Sequence, residues 1–148
     1  MAKDDTTAAI TGRCYCGRTT IRARQKPQAV AYCHCTDCRR VTGAPVATFA
    51  AFDETAVTLS PDDGTEVVAN PGVRRTFCSA CGSPLTGRYD YLPGQVYIAI
   101  GILDQADDLA PQLHAHAAQR LKWLHIDDGL ERFTRSSRSR LAAGVKRE

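Results

Sequence analysis

An all-β domain of short strands is predicted. The segments between breaks are short and rich in Val, Ile, Thr and Tyr, and Gly, Pro, Asn or Asp separates them. Seven cysteines stand in tight C-x-C and C-x-x-C groups, a pattern of domains held together by metal. At 148 residues the chain suits a single domain with a real core.

Residues 1–9 are polar and unpatterned and are expected to form a flexible N-terminus. The ordered domain is expected over residues 10–133, with strands at 19–23, 29–32, 46–52, 57–59, 65–69, 73–77 and 96–102. Thr36–Thr42 reads as a short helical turn, with Thr36 as its cap and Gly43 at its exit. Residues 104–109 read as another. Residues 112–124 stay open between helix and strand, because Ala, Leu and Lys favour helix while Leu113, Ala115 and Ala117 alternate in strand fashion. From 134 to 148 the chain carries Arg135, Arg138, Arg140, Lys146 and Arg147 among Ser and Ala, which reads as a flexible basic tail.

The longest apolar run, residues 96–103, is too short to span a bilayer, and the start MAKDDTT lacks a secretory apolar stretch. A soluble, cytoplasmic protein with no membrane partner is expected. Thiols are kept reduced in that compartment, and an odd cysteine count in close spacing favours metal over disulfides. The net charge of +3 does not by itself imply nucleic acid.

The cysteines form three groups: Cys14 with Cys16; Cys33, Cys35 and Cys38; and Cys78 with Cys81. Seven donors divide most simply into four plus three. Cys14, Cys16, Cys78 and Cys81 are assigned to a closed structural site, for which zinc is preferred to iron. Gly12, Gly17 and Gly82 are expected to supply the backbone freedom for the tight bends. Cys33, Cys35 and Cys38 are the candidate catalytic ligands of a second zinc, since three donors leave the fourth tetrahedral position for water or substrate. A helix beginning there, with Arg39 and Arg40 beside it, would lower the thiol pKa values. The competing reading fills that position with His34, His114, His116 or His125 and makes a second structural site. No βαβ pattern supports a thioredoxin-like role.

With these residues the chain resembles the glutathione-dependent formaldehyde-activating enzyme family, which includes the centromere protein V relatives. The likeness lies in Gly12-x-Cys14-x-Cys16-Gly17, Tyr32-Cys33-His34-Cys35-x-x-Cys38 and Phe77-Cys78-x-x-Cys81-Gly82-Ser83. It continues in Gly101-x-Leu103-Asp104 and in Trp123 ahead of Asp127-Asp128-Gly129-Leu130, with Glu131 where the family often has proline. The resemblance implies a β-tent of small curled antiparallel sheets, two zinc ions and the same division of ligands. It also implies a carbon–sulfur lyase that interconverts S-hydroxymethylglutathione with glutathione and formaldehyde, so that glutathione or a similar thiol is the expected partner. Arg39, Arg40, Arg74, Arg75 and Arg88 are candidate partners for the carboxylates of glutathione. The alternative is a non-catalytic zinc-stabilised module that contacts nucleic acid through its basic tail, although the core lacks the basic, aromatic-interleaved patch of single-strand binders.

Overall fold

Residues 9–146 are described by a computed structural model. The strands are β1 (Ile10–Arg13), β2 (Thr20–Ala23), β3 (Ala29–Cys33), β4 (Ala47–Asp53), β5 (Val57–Ser60), β6 (Thr65–Asn70), β7 (Val73–Phe77), β8 (Pro84–Tyr89), β9 (Gln95–Ala99), β10 (Leu113–Ala115) and β11 (Glu131–Arg132). Two helices join them, α1 (Thr36–Thr42) and α2 (Arg138–Lys146). The fold is mostly β, as expected. Among the described residues no helix is long and apolar enough to cross a membrane.

The strands form a sheet of order β1-β2-β5 and a larger one of order β11-β10-β3-β4-β9-β8-β7-β6, and neither closes into a barrel. Neighbours run antiparallel except β10, which lies parallel to both β3 and β11. One core joins the sheets: Ile10, Ile21 and Ala23 of the small sheet pack with Val30, Phe52, Val96 and Ile98 of the large one. Burying such side chains contributes roughly 1.5–3 kcal/mol each, enough to fix the two sheets against each other.

Residues 112–124, left open by the sequence, hold β10 and a short 3₁₀ turn at Ala117–Gln119. The region from 104 to 109 holds another 3₁₀ turn, Ala106–Asp108. Strand β9 ends at Ala99, because Ile100–Ile102 tightens into a 3₁₀ turn.

The tail differs from its expectation. Residues 138–146 form α2, whose Leu141 and Ala142 pack against Ala29, Tyr89, Leu92 and Tyr97, and Ser137 is buried. The helix has little amphipathic pattern because only two small apolar contacts hold it, with Gln95 Nε2 donating to the Leu141 carbonyl at 3.4 Å. The flexible N-terminus expected at residues 1–9 falls, except for Ala9, outside the described residues.

Candidate metal centres and their cavity

The first cysteine pair follows directly from β1 and the last pair directly from β7. Each sits in a tight knuckle. Gly17 N–H donates to the Cys14 carbonyl at 3.1 Å, and Gly82 N–H donates to the Cys78 carbonyl at 2.8 Å. Gly17 and Gly82 adopt φ of 84° and 81°, the left-handed region that favours glycine. Gly12 is needed for another reason: its φ is ordinary, but a side chain there would run into the Ile102 carbonyl and Leu103.

These turns bring together the sulfurs of Cys14, Cys16, Cys78 and Cys81, all within 4.8 Å of one another. Cys14 Sγ lies 3.6 Å from Cys16 Sγ, and Cys16 Sγ lies 3.8 Å from Cys78 Sγ. A tetrahedral zinc with Zn–S bonds of about 2.3 Å needs sulfurs roughly 3.8 Å apart, so the donor set fits the ion. Thr19 N–H donates to Cys14 Sγ at 3.3 Å, and this bond leads the effects that hold the Cys14 thiol below its ordinary pKa. The Ser83 hydroxyl, 3.2 Å from Cys81 Sγ, brings that thiol down to about 5. The surrounding backbone and hydroxyl groups favour the thiolates of Cys14 and Cys81, whereas at Cys16 the Arg18 N–H is outweighed by burial and the neighbouring sulfurs, which push that thiol up to about 11.

Cys33 ends β3, Cys35 caps α1 and Cys38 lies buried in its first turn. The cap is therefore Cys35 rather than Thr36, and its sulfur accepts from Cys38 N–H at 3.2 Å. The three sulfurs lie within 4.8 Å of one another. Hydrogen bonds from Cys33 and Cys38 hold the Cys35 thiol far down, while the same contacts push Cys33 up to about 11 and Cys38 up as well. The protein groups alone thus stabilise one thiolate here, and ionising all three requires a cation. Both clusters could hold a metal, and among the described residues neither includes a histidine or a carboxylate.

Of the four candidate histidines, His116 lines the cavity beside the three sulfurs without joining their cluster, His125 is exposed, and His34 and His114 are engaged with each other. His34, between two of the cysteines in sequence, points Nε2 at His114 Nδ1, 2.8 Å away, and His114 Nε2 meets Asp128 Oδ2 at 3.0 Å. The hydrogen bond from His114 holds the Asp128 carboxyl below its usual range, so the chain of donors runs from His34 through His114 to the carboxylate. Burial pushes His34 down to about 4, which keeps it neutral. Tyr32 stacks on His114 at 4.6 Å between centroids, and Arg132 closes the far side of Asp128 at 2.9 Å. The sequence reading missed this relay. Its signals were a histidine inside the cysteine motif and the Asp127-Asp128-Gly129 turn.

A cavity of about 380 Å³ opens beside the three-sulfur cluster, with Cys33, Cys35 and Cys38 on its wall. A second space of about 490 Å³ adjoins it, and Phe49, Val73, Arg75 and Tyr97 line both. The structure separates the five candidate arginines. Arg39 donates to the carbonyls of His34 and Gln119, at 2.8 and 2.7 Å, and Arg88 faces Glu54 and Asp63 at 3.5 Å each. Arg74 is exposed, and exposed Arg40 lines the second space but not the cavity that holds the three sulfurs. Arg75 remains beside the sulfurs, with Nη1 donating to the Tyr89 hydroxyl at 3.2 Å.

A family model described as glutathione-dependent formaldehyde-activating enzyme matches residues 9–119. The crystal structure of a Rhodobacter sphaeroides protein is similar with a TM-score of 0.54, covering 64% of this chain and 87% of that one. The two are 21% identical, so the likeness speaks to the fold alone. Among curated proteins no match is found.

Proposed function

The chain belongs to the glutathione-dependent formaldehyde-activating enzyme family, and on that premise we propose that it is a zinc-dependent carbon–sulfur lyase acting on an aldehyde adduct of glutathione or a similar small thiol. One observation carries the reading: three cysteine sulfurs converge on the wall of a cavity large enough for a small ligand, with no fourth side chain joining them among the described residues. Cys14, Cys16, Cys78 and Cys81 would hold a structural zinc, and Cys33, Cys35 and Cys38 a catalytic one. Zinc bound at the second cluster supplies the positive charge that keeps a nearby thiol ionised near neutral pH.

The protein's own residues do the rest. β3 and α1 hold the three sulfurs on one side of the cavity, and the α1 cap orients Cys35 through the Cys38 N–H. Phe49, Val73 and Tyr97 shield the reacting atoms from water. In the forward direction the thiol sulfur bonds to the aldehyde carbon and the thiol proton ends on the new hydroxyl. In reverse the carbon–sulfur bond breaks, and the hydroxyl proton returns to sulfur. Burial raises the pKa of the Tyr89 hydroxyl, so it stays protonated and serves as a neutral donor to the ligand.

The test is exchange spectroscopy by NMR on glutathione and formaldehyde, with zinc counted in the same samples. Wild type should accelerate adduct formation above the spontaneous rate and carry two zinc ions. Cys35→Ser should lose the acceleration and one ion while keeping its circular-dichroism spectrum. A wild-type rate equal to the spontaneous one rejects the enzyme.

A further inference from the structure

The C-terminal segment lies beyond the residues matched by the family model, yet it forms part of the wall of the three-sulfur cavity through Ser136, Ser137, Arg138 and Leu141. Two cations from distant parts of the chain line the same wall. Arg75 comes from β7 and sits over the Tyr89 ring at 5.4 Å, while Arg138 opens α2 and sits over the Tyr91 ring at 3.9 Å. The two rings stack at 5.5 Å between centroids, so the guanidinium groups are carried on one aromatic platform. Among the described residues neither has a carboxylate partner. The wall also carries Asp37, an exposed carboxylate, which the two cations outnumber.

Ser137 supplies an independent observation. It is 2% exposed, it lines this cavity, and its hydroxyl has no hydrogen-bond partner. Buried hydroxyls are nearly always satisfied, so a donor left over in a cavity wall points to a ligand that accepts from it. A carboxylate is the acceptor that also suits paired guanidinium groups, which bind its two oxygens in a fork.

We propose that Arg75, Arg138 and Ser137 form a carboxylate subsite, by which the C-terminal helix selects small thiols that carry a carboxylate. The inference rests on the reading of Cys33, Cys35 and Cys38 as the thiol site. Glutathione fits the requirement, having carboxylates at both ends of a tripeptide thiol. A neutral thiol leaves both guanidinium groups without a partner.

The test is calorimetric titration of the zinc-replete full chain with glutathione, S-methylglutathione and glutathione diethyl ester. Charge-assisted hydrogen bonds predict at least about a tenfold preference for glutathione over its ester. Arg138→Gln, at an exposed position, should remove most of that preference and leave ester binding unchanged. Ser137→Ala should weaken glutathione several-fold without lowering the melting temperature of the ligand-free protein, since it deletes an unsatisfied group. S-Methylglutathione, which has no free thiol, should still bind and should lose affinity in Arg138→Gln. Equal affinities for glutathione and its ester, or glutathione binding unmoved by Arg138→Gln, overturn the subsite, as does the absence of binding by either acid. Arginine-dependent binding of glutathione without accelerated adduct formation would uphold the subsite and reject the enzyme.

Discussion

Replacing Cys78 with serine should remove the proposed metal link between the end of β7 and the end of β1. Cys78 is fully buried, and its sulfur lies 3.8 Å from that of Cys16 across 62 residues of sequence. A metal held by the four thiolates would clip this loop as a reversible cross-link, and clips that close long loops gain the most stability. For a loop of 62 residues the entropy removed corresponds to about 4 kcal/mol at 25 °C. In a domain of this size 1 kcal/mol moves the melting temperature by roughly 3 °C, so Cys78→Ser should melt roughly 12 °C lower. Cys33, Cys35 and Cys38 lie within six consecutive residues, so a metal there closes almost no loop. Cys35→Ser should therefore lower the melting temperature by half as much or less, because the corresponding entropy is worth about 2 kcal/mol. Circular-dichroism melts of both variants beside wild type, with zinc counted by plasma emission, check the contrast. Equal losses in the two variants, or two ions retained in Cys78→Ser, would refute the reasoning.

Phe52 is fully buried in the core shared by the sheets, and Phe52→Ala should destabilise the protein by about 3–5 kcal/mol in urea unfolding. Gly12→Val forces a side chain against the Ile102 backbone and should destabilise by at least about 2 kcal/mol, whereas Gly101→Ala, with open space around it, should melt within a few degrees of wild type. His34 carries a pH signature. Its folded pKa of about 4 lies below the ordinary 6.5, so the unfolded chain binds the proton more tightly between those values. Stability should hold above pH 6.5 and decline as pH falls towards 4, by at most about 1.4 kcal/mol per unit from this one group. Urea midpoints across that range, with zinc content followed at each pH, would contradict this if they stayed flat between pH 6.5 and 5.

Some of the architecture was hidden for identifiable reasons. β8, Pro84–Tyr89, was missed because Leu85, Thr86 and Gly87 are buried in succession, which erases the alternation that marks a strand covered on one face. β1 is a short stretch whose Gly12 reads as a break, although the glycine serves a close approach to Ile102. In β10 His114 is fully buried between apolar Leu113 and Ala115, because His34 and Asp128 satisfy its ring, and that burial removes the polar alternation a strand would show. α2 was read as solvated tail because a helix held by Leu141, Ala142 and an arginine on a tyrosine ring has no apolar period to detect.

What the sequence by itself determined is the β class and the two sulfur clusters. Metal-ligand geometry is local: one or two residues between cysteines set the bend, and the sulfur separations follow from bond lengths. Counting seven donors then left few ways to divide them. Only the tertiary structure decided which arginine stands beside the sulfurs, which histidines face each other, and that the basic tail returns to wall the cavity. Those are contacts between residues far apart in the chain, and they depend on how the strands stack, which no short spacing encodes.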